Sequence, residues 1–203
     1  GAGTVTVRAS QAGNANYNGA LNADQSFTVA KAPLTITAGN QSREYGQTNP
    51  ALTVGYAGFV NGENASVLLT PPTVTTTAGI NDLPGNYPIT VSGATAANYA
   101  ITQVNGVLTV TATMPAITVG PTNVTVIQGQ NAGFNMAATG TGPLGYQWFF
   151  NATNALAGAT NTTLTVTNAL PVNAGNYTVV VTNVAGAVTS SVGERPLKPV
   201  HLL

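Results

Sequence analysis

The chain has very few charged residues and no cysteine. Of its 203 residues, five are Lys or Arg and five are Asp or Glu, so the formal net charge is zero. Without a basic surface there is little to attract phosphate backbones, which argues against nucleic acid as a partner. The absence of cysteine excludes disulfides, thiolate metal sites and a cysteine nucleophile.

Groups for acid-base catalysis are equally scarce. The single histidine, His201, lies in a terminal segment expected to be a linker, so a hydrolase triad is not predicted. The acids are Asp24, Glu44, Glu63, Asp82 and Glu194, spaced at least nineteen residues apart. A paired-acid or calcium site would need two of them to meet in the fold, as Glu63 and Asp82 could across a turn. We therefore predict no enzymatic activity, no cofactor and no metal.

Long apolar runs are missing as well. No run approaches the roughly 18 residues needed to cross a bilayer. The opening GAGTVTVRAS has no basic region followed by an apolar one, so it is not a signal peptide. We expect no membrane insertion in this segment and an export signal, if there is one, outside it.

Thr, Asn, Ala, Gly and Val dominate instead. β-Branched side chains suit strands, while Asn and Gly suit turns, so the composition predicts an all-β fold. Apolar and polar residues alternate in Leu34-Thr35-Ile36-Thr37, which is typical of a half-buried strand. One helical turn is allowed, at residues 61–67.

Turn signals and a loose repeat divide the chain into tandem modules. Gly85-Asn86-Tyr87 and Gly175-Asn176-Tyr177 both open an alternating strand near the end of a unit. The expected divisions are 1–31, the end of a truncated repeat, 32–113, a β-rich module, and 114–193, a β-sandwich. In the first, Val5, Val7, residues 9–14, Tyr17 and residues 26–29 resemble the end of a bacterial Ig-like repeat. Residues 194–203 hold two prolines and three charges and are expected to be a linker or tail.

The third unit resembles a bacterial immunoglobulin-like domain of the intermediate type over about 115–193. Residues 129–136, 145–148, 163–166 and 173–179 match its strands B, C, E and F. The resemblance implies a core in which Trp148 packs where the family has a disulfide, with Met136 and Val179 in the two cysteine positions. It also implies a tyrosine corner at Tyr177 and a buried Leu164.

The second unit resembles the MBG repeat of large bacterial surface proteins over about 32–112. The matching pieces are Tyr45-Gly46 with Asn49-Pro50, residues 56–63, 84–90 and 106–110, and Asn98-Tyr99. The resemblance implies a secreted or cell-surface location, but it suggests adhesion only as fold-level analogy.

Tyrosines are the candidate ligand contacts, because exposed aromatic rings can stack on sugars. Tyr45 and Tyr56 are singled out, and Tyr17 and Tyr99 are further candidates. The alternative is that they are ordinary half-buried strand or turn residues.

The leading hypothesis is a non-catalytic module of a large bacterial secreted or cell-surface protein, acting as spacer and as protein or glycan interaction unit. Its partners would be neighbouring modules of the same chain and surface glycans or proteins. The alternative is a carbohydrate-binding accessory module of a secreted multidomain enzyme.

Overall fold

The computed structural model describes residues 1–198, and His201 lies outside this range. The described chain is nearly all β-structure, which confirms the predicted fold class. It divides into two compact units. The first comprises Gly1–Ser42, Asn49–Ala78 and Asn86–Thr109, and the second comprises Arg43–Thr48, Gly79–Gly85 and the residues from Val110 onward.

The chain opens with a two-stranded antiparallel hairpin of β1 (Gly3–Gln11) and β2 (Ala20–Val29). Strand alternation puts Val5 opposite Phe27 on one face and Arg8 opposite Asp24 on the other, where they form an ion pair at 2.8 Å. All strand residues are exposed. Both charged side chains are well solvated, so the ion pair contributes little to stability.

The following nine strands form the middle module. They are β3 (Ala32–Ala38), β4 (Gln41–Glu44), β5 (Val54–Ala57), β6 (Leu68–Thr70), β7 (Thr73–Thr76), β8 (Gly85–Ser92), β9 (Thr95–Ala96), β10 (Tyr99–Val104) and β11 (Gly106–Thr111). Their sheet orders are β10-β3-β5, β4-β11-β8-β7 and β6-β9. Strand β3 pairs parallel with β10 and antiparallel with β5.

The core of this module comes from the alternating apolar positions of its strands. Leu34, Ile36, Ile89 and Leu108 are all at most 1% exposed. Each full burial of such a side chain contributes about 1.5 to 3 kcal/mol. These residues therefore hold β3, β8 and β11 around one interior.

The helical turn allowed at residues 61–67 is present as a 3-10 turn, Ala65–Val67. The side chain of Asn64 accepts a hydrogen bond from the Ser66 N–H at 2.9 Å and so satisfies a donor at the start of the turn. A single 3-10 turn is consistent with the scarcity of helix-forming residues.

Eleven further strands form the C-terminal module. They are β12 (Ala116–Val119), β13 (Val126–Ile127), β14 (Ala132–Asn135), β15 (Ala137–Thr139), β16 (Gly145–Phe150), β17 (Asn154–Ala155), β18 (Thr163–Val166), β19 (Gly175–Asn183), β20 (Gly186–Thr189), β21 (Gly193–Arg195) and β22 (Leu197–Lys198). The larger sheet has the order β17-β16-β19-β20, with β21 also pairing with β19. Outside this sheet, β12 pairs antiparallel with β15 and β14 pairs antiparallel with β18, while β13 pairs parallel with β22.

The segment expected to be a linker, 194–203, is part of the sandwich as far as Lys198. Strand β21 adds to β19 through three residue pairs. Arg195 is 1% exposed, and its Nε donates to Asn173 O at 3.1 Å while its Nη2 donates to Leu170 O at 3.0 Å. Charges and prolines are typical of a linker, which is why the sequence predicted one. An arginine that is buried through hydrogen bonds to backbone carbonyls has no recognisable sequence pattern.

Candidate functional site

The interior of the C-terminal module is built around Trp148. This side chain has no exposed surface, and its strand position lies opposite Val179, which is also fully buried. The indole Nε1 donates to Asn161 O at 2.8 Å, so the ring's one polar group is satisfied. Met136 is 6% exposed, and Leu164 is half-buried against the same cluster. These side chains form a packed core.

Tyr177 closes one end of this core. Its hydroxyl donates to Asn173 O at 2.8 Å, four residues upstream, while its ring stacks on Phe134 with centroids 4.7 Å apart. Burial raises the pKa of Tyr177, and Arg195 partly opposes that rise. The geometry is that of a tyrosine corner.

The two tyrosines proposed as ligand contacts are both half-buried. Tyr45 donates its backbone N–H to Thr111 O at 2.8 Å. The ring of Tyr56 lies 5.6 Å from that of Phe59, and Phe59 meets Tyr99 edge-on at 5.4 Å. Tyr56 is thus one end of an aromatic row in the middle module.

The far end of this row carries a hydrogen-bonded pair, Tyr99 and Glu63. The Tyr99 hydroxyl donates to Glu63 Oε2 and accepts from the Val60 N–H at 3.2 Å. The hydrogen bond to Glu63 raises the pKa of Tyr99, because it favours the neutral phenol. The pair ties the loop after β5 to the first residue of β10.

Backbone conformation shapes that loop. Gly58 has φ +114°, and a Cβ there would lie 2.4 Å from Pro33 O, so no other residue fits. Asn61 and Gly62 both have positive φ, at 54° and 74°. These turns bring the Glu63 carboxylate back to the Tyr99 hydroxyl.

A cavity of about 280 Å³ opens beside the pair. Val60, Asn61, Glu63, Asn98 and Tyr99 line it on the side of the middle module. Asn98 Oδ1 accepts a hydrogen bond from the Ala2 N–H at 3.0 Å. The volume lies near the lower end of ordinary ligand pockets, which is about 300 Å³. Its carboxylate and amide groups are suited to hydroxyl groups of a small polar ligand.

The remaining acids do not gather into a metal site. Within residues 1–198 there is no group of three His, Asp or Glu side chains that could hold a metal ion. Asp82 Oδ2 accepts the Gly79 N–H at 2.9 Å within its own turn, and Glu63 bonds Tyr99. Nor does the described chain contain a helix long and apolar enough to span a membrane.

The Tyr99–Glu63 pair predicts a pH dependence of stability. Because the pKa of Tyr99 is raised on folding, its contribution is complete below the unfolded value of about 10 and is lost as pH rises through the folded value. The thermal midpoint of the wild type should therefore fall more steeply above about pH 10 than that of Tyr99→Phe. Tyr17→Phe serves as the control, because Tyr17 is 72% exposed and lies in the N-terminal hairpin, so its removal should leave the wild-type pH dependence in place. Parallel midpoint curves for wild type and Tyr99→Phe would contradict the prediction.

Sequence reasoning did not find this pair. Both partners lie in the segments that resemble the MBG repeat, 56–63 and 98–99, but they are separated by 36 residues. Two sequence features could have indicated the pair: Glu63 is a lone acid in a glycine-rich turn, and Tyr99 stands at the start of a strand.

Comparisons with known proteins agree with the two modules. Residues 34–109 match the family model described as MBG domain (YGX type), and residues 114–183 match the model described as immunoglobulin domain. The chain thus carries an MBG domain followed by an immunoglobulin-like domain, as the resemblances predicted. Such domains indicate a non-catalytic structural or interaction module.

Solved structures that resemble the chain include several titin fragments. A chimeric titin Z1Z2 carrying a KLER peptide from decorin is 24% identical, over 44% of this chain and 98% of that chain, with a TM-score of 0.40. The trigonal form of titin M4 is 23% identical over 43% and 99%, with a TM-score of 0.40. A titin Z1Z2-Z1Z2 tandem carrying a GRGDS peptide from fibronectin is 15% identical over 84% and 97%, again with a TM-score of 0.40. No curated protein matches the chain.

Proposed function

We propose that this chain is a non-catalytic segment of a large bacterial secreted or cell-surface protein, in which tandem β modules act as spacers and as protein or glycan interaction units. The succession of an MBG domain and an immunoglobulin-like domain is the observation that carries the proposal. In this role the modules hold binding surfaces in position and bind partners through non-covalent contacts, without catalysing a reaction.

The module limits form part of the same proposal. We take the middle module as 32–113 and extend the immunoglobulin-like module from 114 through 198, because β21 and β22 pair with strands of that module. The assignment of 1–31 to a further immunoglobulin-like repeat stays a prediction.

The cavity beside Tyr99 and Glu63 is the place where we propose that a glycan binds. Sugar recognition combines an apolar ring face with polar groups that pair with hydroxyls. Glu63, Asn61 and Asn98 supply carboxylate and amide groups, and Tyr99 supplies the ring. Phe59 packs against Tyr99, and Tyr56 against Phe59, outside the lining itself. Tyr45 remains a second proposed contact, at a separate position.

The test is binding of the complete 203-residue chain to an array of glycans and mucins. Asn61→Gly removes a lining amide and suits the positive φ at that position, so it should weaken binding without disturbing the turn. Tyr45→Ala and Tyr56→Ala test the two aromatic contacts. The matched control is Phe27→Ala, because Phe27 is 53% exposed and lies in the N-terminal hairpin, outside the cavity lining.

Specific binding that falls in Asn61→Gly and persists in Phe27→Ala would support the glycan contact at the cavity. Loss in Tyr45→Ala or Tyr56→Ala alone would move the contact to that tyrosine. If no glycan or mucin binds, the glycan part is overturned and a spacer and protein-contact role remains. Circular dichroism of each variant separates lost contact from lost fold.

A further inference from the structure

Strand β18 has a strand neighbour on one side only. It pairs with β14 through four residue positions, and among the strands of residues 1–198 none pairs with its other side. The Met136 N–H donates to Thr162 O at 3.0 Å, in continuation of this ladder. Backbone groups alternate in direction along a strand, so Thr163 and Thr165 direct their N–H and C=O groups to the free side.

Nothing in the sequence guards this edge. Natural sheet edges are commonly protected by lysine, by proline or by inward-pointing charges. None of the ten charged residues lies between Asp82 and Glu194, and the edge itself reads Thr-Leu-Thr-Val-Thr. The edge therefore carries neither a charge nor a proline that would hinder pairing with another extended chain.

A groove lined mainly by apolar side chains, with Thr165, Thr167 and Asn173 among its polar ones, lies directly beside the edge. It has a volume of about 330 Å³, and Thr165 and Thr167 of the edge line it together with Phe150, Leu156, Leu164 and Tyr177. Leu164 and Val166 are half-buried, whereas Thr163 and Thr165 are exposed, so the strand turns its aliphatic side chains inward. A strand added at the edge would alternate in the same way and place every second side chain over the groove.

We propose that the free edge of β18 and this groove form a docking site for an extended peptide segment of another polypeptide, bound by strand addition. The edge amides and carbonyls of Thr163 and Thr165 would pair with its backbone. Its groove-facing positions, every second residue, would be aliphatic, because a charge buried there would meet no charged partner. This site lies in the immunoglobulin-like module and is independent of the glycan contact proposed above.

The probe is a library of random twelve-residue peptides displayed on phage and selected on the complete chain. Enriched peptides should show aliphatic residues at alternate positions and no charge among those positions. Synthetic, end-blocked copies should slow amide hydrogen exchange of Thr163 and Thr165. The slowing should be confined to this edge, because the N–H groups on the β14 side are already paired.

Two variants test the assignment. Thr165→Pro removes an outward N–H without touching the β14 side and should weaken peptide affinity at least tenfold. Leu156→Glu places a charge in the groove, leaves the edge unchanged and should have a similar effect. The matched control, Thr189→Pro, removes an N–H from β20, the last strand of the other sheet, and should bind as the wild type does.

The proposal is overturned if enriched peptides lack the alternating pattern, or if protection appears away from Thr163 and Thr165. Unchanged affinity in a folded Leu156→Glu also overturns it, so a misfolded Thr165→Pro would not leave the question open. Glycan binding that fails on the array while peptides bind here would reject the glycan proposal alone.

Discussion

Replacing Trp148 by alanine should destabilise the immunoglobulin-like module by about 3 to 5 kcal/mol, the range for an aromatic residue removed from a packed core. Trp148 has no exposed surface, and its indole also satisfies Asn161 O. The variant leaves both a cavity against Val179 and an unpaired carbonyl. A small module has about 5 to 15 kcal/mol of stability in total, so much of it would be lost.

Calorimetry of the full chain measures this effect. The transition of the immunoglobulin-like module should move to a much lower temperature, while that of the MBG domain should keep its midpoint. Phe149→Ala is the control, because Phe149 is the next residue of the same strand but is only half-buried. Equal shifts for both variants would mean that Trp148 is not the centre of the core.

Replacing Arg195 by alanine should cost about 2 to 4 kcal/mol, chiefly because the packing of the buried side-chain stem is lost and a cavity is left. Arg195→Met keeps the apolar stem and removes the charge. The Arg195 Nη1 is buried and has no hydrogen-bond partner, and removal of an incompletely satisfied buried charge is often neutral. We therefore expect Arg195→Met to stay within about 1 kcal/mol of the wild type.

Denaturant unfolding followed by the fluorescence of Trp148, the chain's one tryptophan, measures both variants. Glu194→Ala is the neighbouring control, because Glu194 is exposed and should change stability little. If Arg195→Met is as unstable as Arg195→Ala, the hydrogen bonds to Asn173 and Leu170 dominate. If neither variant loses stability, β21 is not an integral part of the module.

The sequence predicted the fold class and both families, because these depend on local patterns. Alternation at Leu34 and Ile36, and the Gly-Asn-Tyr sequences at 85 and 175, are visible within a few residues. The parallel pairing of β3 with β10 was not predicted, since it joins Ala32 to Tyr99 across the whole module. Such long-range pairing is set by tertiary packing.

Burial of Arg195 and the bond between Glu63 and Tyr99 escaped prediction for related reasons. An arginine beside prolines is ordinary in a linker, and only the approach of Leu170 and Asn173 makes it an interior residue. A lone Glu63 gives no motif, because its partner is a neutral phenol distant in sequence. An ionisable side chain that bonds to a neutral group has no oppositely charged partner in the sequence, so charge patterning does not reveal the contact.

No charged residue and no histidine lies between Asp82 and Glu194, which limits how pH and salt can act on this stretch. A stretch with no Asp, Glu, His, Lys or Arg takes up no proton as the medium acidifies and has no ion pairs for salt to screen. Its interior is held by apolar burial and backbone hydrogen bonds, which respond weakly to both. The folding of this stretch should therefore respond little to acidification or to a change of salt concentration.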